Sequence, residues 1–132
     1  MLEGKGKYMS RRILIIDDED DIREVAALSL ETVAEWEVIV ASSGMQGLAR
    51  AAQSQPDAIL LDVMMPGMDG PATFRELRGN PATAHIPVLF LTAKVQRTDQ
   101  RRFADLGVED VLFKPFDPLT LSLQISQALG WN

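Results

Sequence analysis

Five short apolar runs recur along the chain, at Arg12–Ile16, Glu37–Ala41, Ala58–Asp62, Pro87–Thr92 and Asp110–Lys114. The run Ala58-Ile-Leu-Leu-Asp62 has no polar alternation, the pattern of a strand buried on both faces in a parallel sheet. Segments with helical spacing fill the intervals. Ile22, Val25, Ala26, Ser29, Leu30 and Val33 predict a helix to about Ala34. Ser43-Gly-Met-Gln46 has capping-box spacing and opens a helix with Met45, Leu48, Ala49 and Ala52 as its expected inner face, ended by Pro56. Pro71 suits a first helical turn, Phe74 and Leu77 face inward, and Gly79-Asn80-Pro81 terminates. A polar helix is expected over Thr98–Leu106, with Phe103 and Leu106 apolar, closed by Gly107. Asp117 is the expected cap and Pro118 the start of a last helix with Leu121, Ile125, Ala128 and Leu129 inside.

Strands alternating with helices across short connections imply an α/β fold, a parallel sheet covered on both faces by right-handed crossovers. At 132 residues the chain is long enough for one domain with its own core. The expected organisation is a disordered leader over residues 1–10, one domain over 11–130 and no further domain. With no cysteine there are no disulfides, thiolate metal sites or cysteine nucleophile. Thirteen basic against nineteen acidic residues, net −6, argues against a nucleic-acid surface. No apolar run reaches the roughly 20 residues of a membrane span, and the leader lacks a signal peptide's apolar core, so a cytoplasmic protein is expected.

Polar residues collect where the predicted strands end: Asp17 and Asp18, then Asp62, Thr92 and Lys114. In open α/β sheets that edge binds ligands. With strand order 2-1-3-4-5, strands one and three are neighbours and the three aspartates lie close together. Two carboxylates about 5 Å apart repel by roughly 3 kcal/mol at an effective dielectric of 20. A hard divalent cation relieves that repulsion, and an oxygen-rich site suits Mg²⁺. A carboxylate can also act as a nucleophile and form an aspartyl phosphate. The phosphoryl oxygens then need the cation on one side, a lysine ammonium on another and a hydroxyl donor, for which Lys114 and Thr92 are placed.

Asp17-Asp18, Asp62 within Leu-Leu-Asp-Val-Met-Met-Pro-Gly-Met-Asp-Gly, Thr92-Ala93 and Lys114-Pro115-Phe116 together resemble the receiver domain of two-component response regulators, over roughly residues 11–130. The resemblance implies a flavodoxin-like (βα)5 doubly wound sheet of order 2-1-3-4-5. It implies that Asp62 is the phosphoacceptor, supplied by a sensor histidine kinase or a histidine phosphotransfer protein. Mg²⁺ (or Mn²⁺) would be held by Asp18 and Asp62 directly, Asp17 through water, and the Met64 backbone carbonyl. Lys114 would bridge to the phosphate across a cis bond to Pro115, and Thr92, followed by Ala93, would move toward the phosphate. Many relatives carry an aromatic residue three positions before the lysine; here it is Val111, which lacks a long lever to swing. Phe113 shares its strand parity.

The expected role is a stand-alone, non-enzymatic phosphoacceptor that signals through an unidentified downstream protein or a phosphorylation-linked homodimer, without nucleic acid or membrane. Leu119 and Leu123, off the inner stripe of the last helix, mark the candidate self-association face. One rival is an aspartyl-phosphate phosphohydrolase, which usually has a second aspartate two residues after the nucleophile; that position is Met64. The other is an unphosphorylated scaffold of the same fold. Glu19, Asp20 and Asp21 are read as complementing a helix dipole, and Asp69 as turn chemistry. The only histidine, His85, reads as surface, and Met64 and Lys94 flank the site.

Overall fold

The computed structural model describes residues 10–93 and 96–131. Lys94 and the leader, apart from Ser10, lie outside them. The chain runs β1 (Arg12–Ile16), α1 (Asp20–Val33), β2 (Glu37–Ala41), α2 (Gly44–Ser54), β3 (Ala58–Asp62), α3 (Gly70–Gly79), β4 (Val88–Thr92), α4 (Arg97–Leu106), β5 (Asp110–Phe113) and α5 (Leu121–Leu129). All strands pair in parallel, in the order β2-β1-β3-β4-β5. The switch point therefore falls between β1 and β3, whose register sets Ile16 beside Leu61.

Alternation along each strand feeds two cores. Leu14, Ile16, Ile59, Leu61, Val88 and Phe90 pack on the face that Ala51, Phe74, Leu77 and Phe103 cover from α2, α3 and α4. Ile13, Ile15, Leu60, Leu89 and Leu91 pack on the other, under Ala26, Leu30, Leu121 and Ile125 of α1 and α5. Phe90 meets Phe74 and Phe103 edge-on, at centroid distances of 6.1 and 5.1 Å, which ties α3 and α4 to the middle of the sheet.

The same parity aims the polar strand ends. Asp17 follows Ile13 and Ile15, Asp62 follows Ala58 and Leu60, and Lys114 follows Leu112, all on the α1/α5 side. Thr92 follows Val88 and Phe90 on the other side.

Three expectations change. The inner face of α2 is Gly44, Gly47 and Ala51, with Leu48 partly buried, while Met45 is 67% exposed and Ala49 and Ala52 face solvent. The helix lies so close to its neighbours that a Cβ on Gly47 would stand 2.4 Å from Ile16 Cδ1, and one on Gly44 2.3 Å from Thr73 Oγ1. Ser43 caps α2 as expected, its hydroxyl accepting from the Gln46 N–H. On α1, Val25 and Val33 are largely exposed, because Ala26, Ser29 and Leu30 fill the space against the sheet. Asp117 accepts from the Leu119 N–H in a turn ahead of α5, which begins at Leu121. Leu119 and Leu123 are exposed, as their offset from the inner stripe requires.

Candidate functional site

The loop from β3 to α3 brings the first of the site's elements into place. Asp69 caps α3 by accepting from the Ala72 N–H, and the Gly70 N–H donates to the Val63 carbonyl. A Cβ on Gly70 would lie 2.5 Å from the Asp62 carbonyl oxygen and 2.7 Å from Val63 Cα. Only glycine lets the helix start this close to the backbone of Asp62 and Val63. Gly70→Ala is expected to cost about 1–3 kcal/mol, since backbone cannot yield as a side-chain end can; equal urea midpoints for variant and wild type would show that the loop has slack.

Asp62 ends β3, is 4% exposed, and its Oδ1 accepts from Lys114 Nζ at 3.2 Å and the Met64 N–H at 3.4 Å. Asp17, fully buried past the end of β1, accepts through Oδ1 from the Glu19 N–H at 2.9 Å, and its Oδ2 forms an ion pair with Lys114 Nζ at 3.1 Å. Lys114 follows β5; its backbone N–H donates to the Thr92 carbonyl, which anchors it to β4. Its Nζ also donates to Glu19 Oε1 at 3.1 Å. The Lys114–Pro115 bond is cis. Thr92 is buried at the end of β4, whose neighbour Leu91 registers with Asp62. Ala93 is exposed just beyond it.

Several carboxylates thus face one ammonium. Burial, and then the charge on Asp17, push the Asp62 carboxyl up to about 7 despite Lys114. Burial also raises Asp17, opposed by the Glu19 N–H and Lys114. Burial works against the charge on Lys114, but its bonds to Glu19 and Asp17 and the nearby Asp62 outweigh that and raise it above the ordinary lysine range. The site holds more negative charge than its lysine can balance.

The donor set fits a hard cation. Asp17, Asp18 and Asp62 each offer a carboxylate oxygen, and these atoms lie within 4.8 Å of one another. Asp18 Oδ1 is buried and accepts no hydrogen bond among the described residues, and Asp17 Oδ2, also buried, meets the Lys114 ammonium only as an ion pair. Buried acceptors left this way are costly unless a ligand or ion meets them.

The structure therefore brings Asp17, Asp18, Asp62 and Lys114 together and places Thr92 on the adjoining strand. Met64, two residues past Asp62, is 61% exposed. Val111 is half-buried against the core shared by Phe90 and Phe103, and Phe113 is 38% exposed. Asp20 pairs with Arg23 on the helix surface. A cavity of about 690 Å³ opens beside the site, walled by Met64, Pro66, Asp69, Arg75, Arg102 and Phe103, and Asp17, Asp18 and Asp62 are not in its lining.

Glu19 is the residue that the sequence reading misplaces. It occupies the N-cap position of α1 yet makes no side-chain cap bond; its carboxylate reaches Lys114 instead. Five consecutive acids give no local signal for this. The pairing spans 95 positions and reaches across the carboxyl edge of the sheet, from the end of β5 past β4 and β3 to the residues that follow β1.

A family model described as the response regulator receiver domain matches residues 13–126. The response regulator PleD of Caulobacter vibrioides is 44% identical over 118 residues, covering 89% of this chain and 26% of that protein. The DNA-binding dual master transcriptional regulator RpaA of a Synechocystis species is 46% identical over 106 residues, covering 80% of this chain and 44% of that protein. The chain thus spans about a quarter to a half of these relatives. Among solved structures, chemotaxis protein CheY4 of Vibrio cholerae superposes with a TM-score of 0.83 at 29% identity, covering 90% of this chain and 98% of that one. A putative response regulator from Chloroflexus aurantiacus gives 0.83 at 34% identity, covering 92% and 98%.

Proposed function

Because the chain belongs to the response regulator receiver domain family, we propose that Asp62 is the phosphoacceptor of this protein and that phosphorylation there changes the contacts it makes with other proteins. The observation that carries this reading is the convergence of Lys114 Nζ on Asp62 Oδ1 and Asp17 Oδ2, at 3.2 and 3.1 Å, inside a buried acidic cluster. Folding alone gives no reason to bury these acids side by side; a group whose phosphoryl oxygens need a counter-charge does.

In the transfer, an Asp62 carboxylate oxygen attacks the phosphorus of a phosphohistidine on a sensor kinase or phosphotransfer protein. The P–O bond forms, the P–N bond breaks, and the imidazole leaves with the electron pair. Lys114 favours the ionised form of Asp62 and meets the charge on the phosphoryl oxygens. Asp17, Asp18 and Asp62 would hold Mg²⁺ or Mn²⁺, which when bound neutralises phosphoryl charge. Thr92 supplies a hydroxyl from the α4 side of the sheet, so the product is sensed on that face. Val111, short and packed into the core, gives that response no aromatic lever. Met64, two residues past the acceptor, has no proton to give, which favours a held phosphoryl group over hydrolytic turnover.

Incubation with acetyl phosphate and Mg²⁺ is expected to add the mass of one phosphoryl group, and excess chelator to prevent it. No mass gain would favour an unphosphorylated scaffold. Sustained hydrolysis of p-nitrophenyl phosphate, faster than loss of the protein's own label, would favour a phosphohydrolase. Among the described residues no helix is long and apolar enough to cross a membrane.

A further inference from the structure

We propose that Glu19 is a positioning residue that latches Lys114 and must release it before the ammonium can take up a phosphoryl oxygen on Asp62. This rests on the acceptor role of Asp62 and names a control point within the same site. An ammonium carries three N–H donors. Around Lys114 Nζ stand three carboxylate oxygens, from Asp17 at 3.1 Å, Glu19 at 3.1 Å and Asp62 at 3.2 Å. Glu19 and Asp62 accept hydrogen bonds from it and Asp17 Oδ2 pairs with it by charge, so a phosphoryl oxygen arriving beside Asp62 must displace one of the three.

The three are not equally easy to displace. Asp62 is the group being modified and stays in place. Asp17 is fully buried, and the Glu19 N–H holds its other oxygen. The Glu19 side chain is 58% exposed and makes no hydrogen bond other than the one to Lys114 among the described residues. Water can solvate it as it leaves, and an exposed ion pair contributes little.

Release also costs little because of where Glu19 is attached. It occupies the N-cap position of α1, which has no side-chain cap bond while Glu19 faces Lys114. A carboxylate turned away from Lys114 remains over the positive end of that helix, where negative charge is favourable. The residue thus has two resting places, one of which ties up the lysine. While latched, it also sets a negative charge at the entrance to Asp62, opposing anionic donors.

The test compares wild type, Glu19→Ala and Glu19→Asp. The last keeps the charge but shortens the side chain by one methylene, so it loses the reach to Lys114. With Mg²⁺ present, both variants are expected to bind beryllofluoride about threefold to fivefold more tightly than wild type, the worth of an exposed ion pair. With acetyl phosphate, half-saturation should fall by a similar factor while the limiting rate changes less than about twofold. In metal-free buffer, hydrogen exchange of the Lys114 ammonium, followed by nitrogen-15 NMR, should quicken in both variants.

Tighter binding in Glu19→Ala alone would assign the effect to charge rather than contact and overturn the latch. So would variants that match wild type or bind more weakly, or an unchanged ammonium exchange rate. A wild type that takes neither beryllofluoride nor phosphoryl overturns the acceptor reading instead. The ammonium measurement needs neither ligand nor metal, so it still reports whether Glu19 holds the lysine.

Discussion

Asp62→Asn is expected to carry no phosphoryl label and, in metal-free buffer at pH 8, to be more stable than the wild type. Loss of label follows from removing the nucleophilic carboxylate. The gain in stability follows from burial. The Asp62 carboxyl rises from 3.8 to about 7 because the folded protein disfavours its charge, through desolvation first and the Asp17 charge second. A group whose pKa is higher folded than unfolded binds protons more tightly when folded, so its contribution to stability falls as pH rises between the two values. Here the window runs from about pH 4 to about pH 7. Three units at about 1.4 kcal/mol each give an upper bound of roughly 4 kcal/mol. Asparagine is still a buried polar group, so a gain of about 1–3 kcal/mol is expected at pH 8, shrinking toward zero below pH 4. Urea unfolding at pH 4 and pH 8, beside intact-mass analysis, measures both effects. A variant less stable than wild type at pH 8, or one still labelled to the same extent, would refute the assignment of Asp62.

Lys114→Met is expected to do the opposite. Methionine keeps much of the stem's volume and removes the charge that Asp17, Glu19 and Asp62 share. Lys114 is only 14% exposed, so the two buried carboxylates would be left without compensation. Breaking a buried pair from one side costs about 3–5 kcal/mol. That loss should be largest at pH 8. At pH 5 the raised carboxyls of Asp17 and Asp62 can take up protons instead, and the loss should be smaller. Labelling by acetyl phosphate should fall by about a hundredfold or more, the usual effect of losing a donor aimed at developing charge. The double variant with Asp62→Asn should recover part of the stability, giving a coupling of about 1–3 kcal/mol between the two positions. Additive losses, or a single variant as stable as wild type at pH 8, would mean that the ion pairs at Lys114 are not what keeps this cluster tolerable.

Much of this architecture is legible along the chain because it rests on local rules. The buried strand at Ala58–Asp62, the cap at Ser43, the stop at Gly107 and the inward Phe74 and Leu77 each follow from spacing or from one residue's backbone preference. Asp17, Asp62 and Lys114 are readable for the same reason. Each lies just past or at the end of a strand, and parallel strands point all their carboxyl ends to one edge of the sheet.

Distances between elements are not local, and there the chain is silent. Hydrophobic spacing assigns Met45 to the inside of α2, but that helix packs so tightly that glycines have to face Ile16 and Thr73. Spacing likewise turns Val25 inward on α1, whereas the space is already filled by Ala26 and Leu30. Nor can a run of five acids say which one turns back to a lysine 95 residues away.

The proposed acceptor, the carboxylates beside it and its counter-charge were thus set by residue identity at strand ends, since strand polarity gathers those positions whatever the packing. The depth of the acids, the elevated proton affinity of Asp62 and the reach of Glu19 to Lys114 came only with the folded arrangement. Each of these depends on how closely separate elements approach, and both desolvation and ion pairing vary steeply over the last few ångströms.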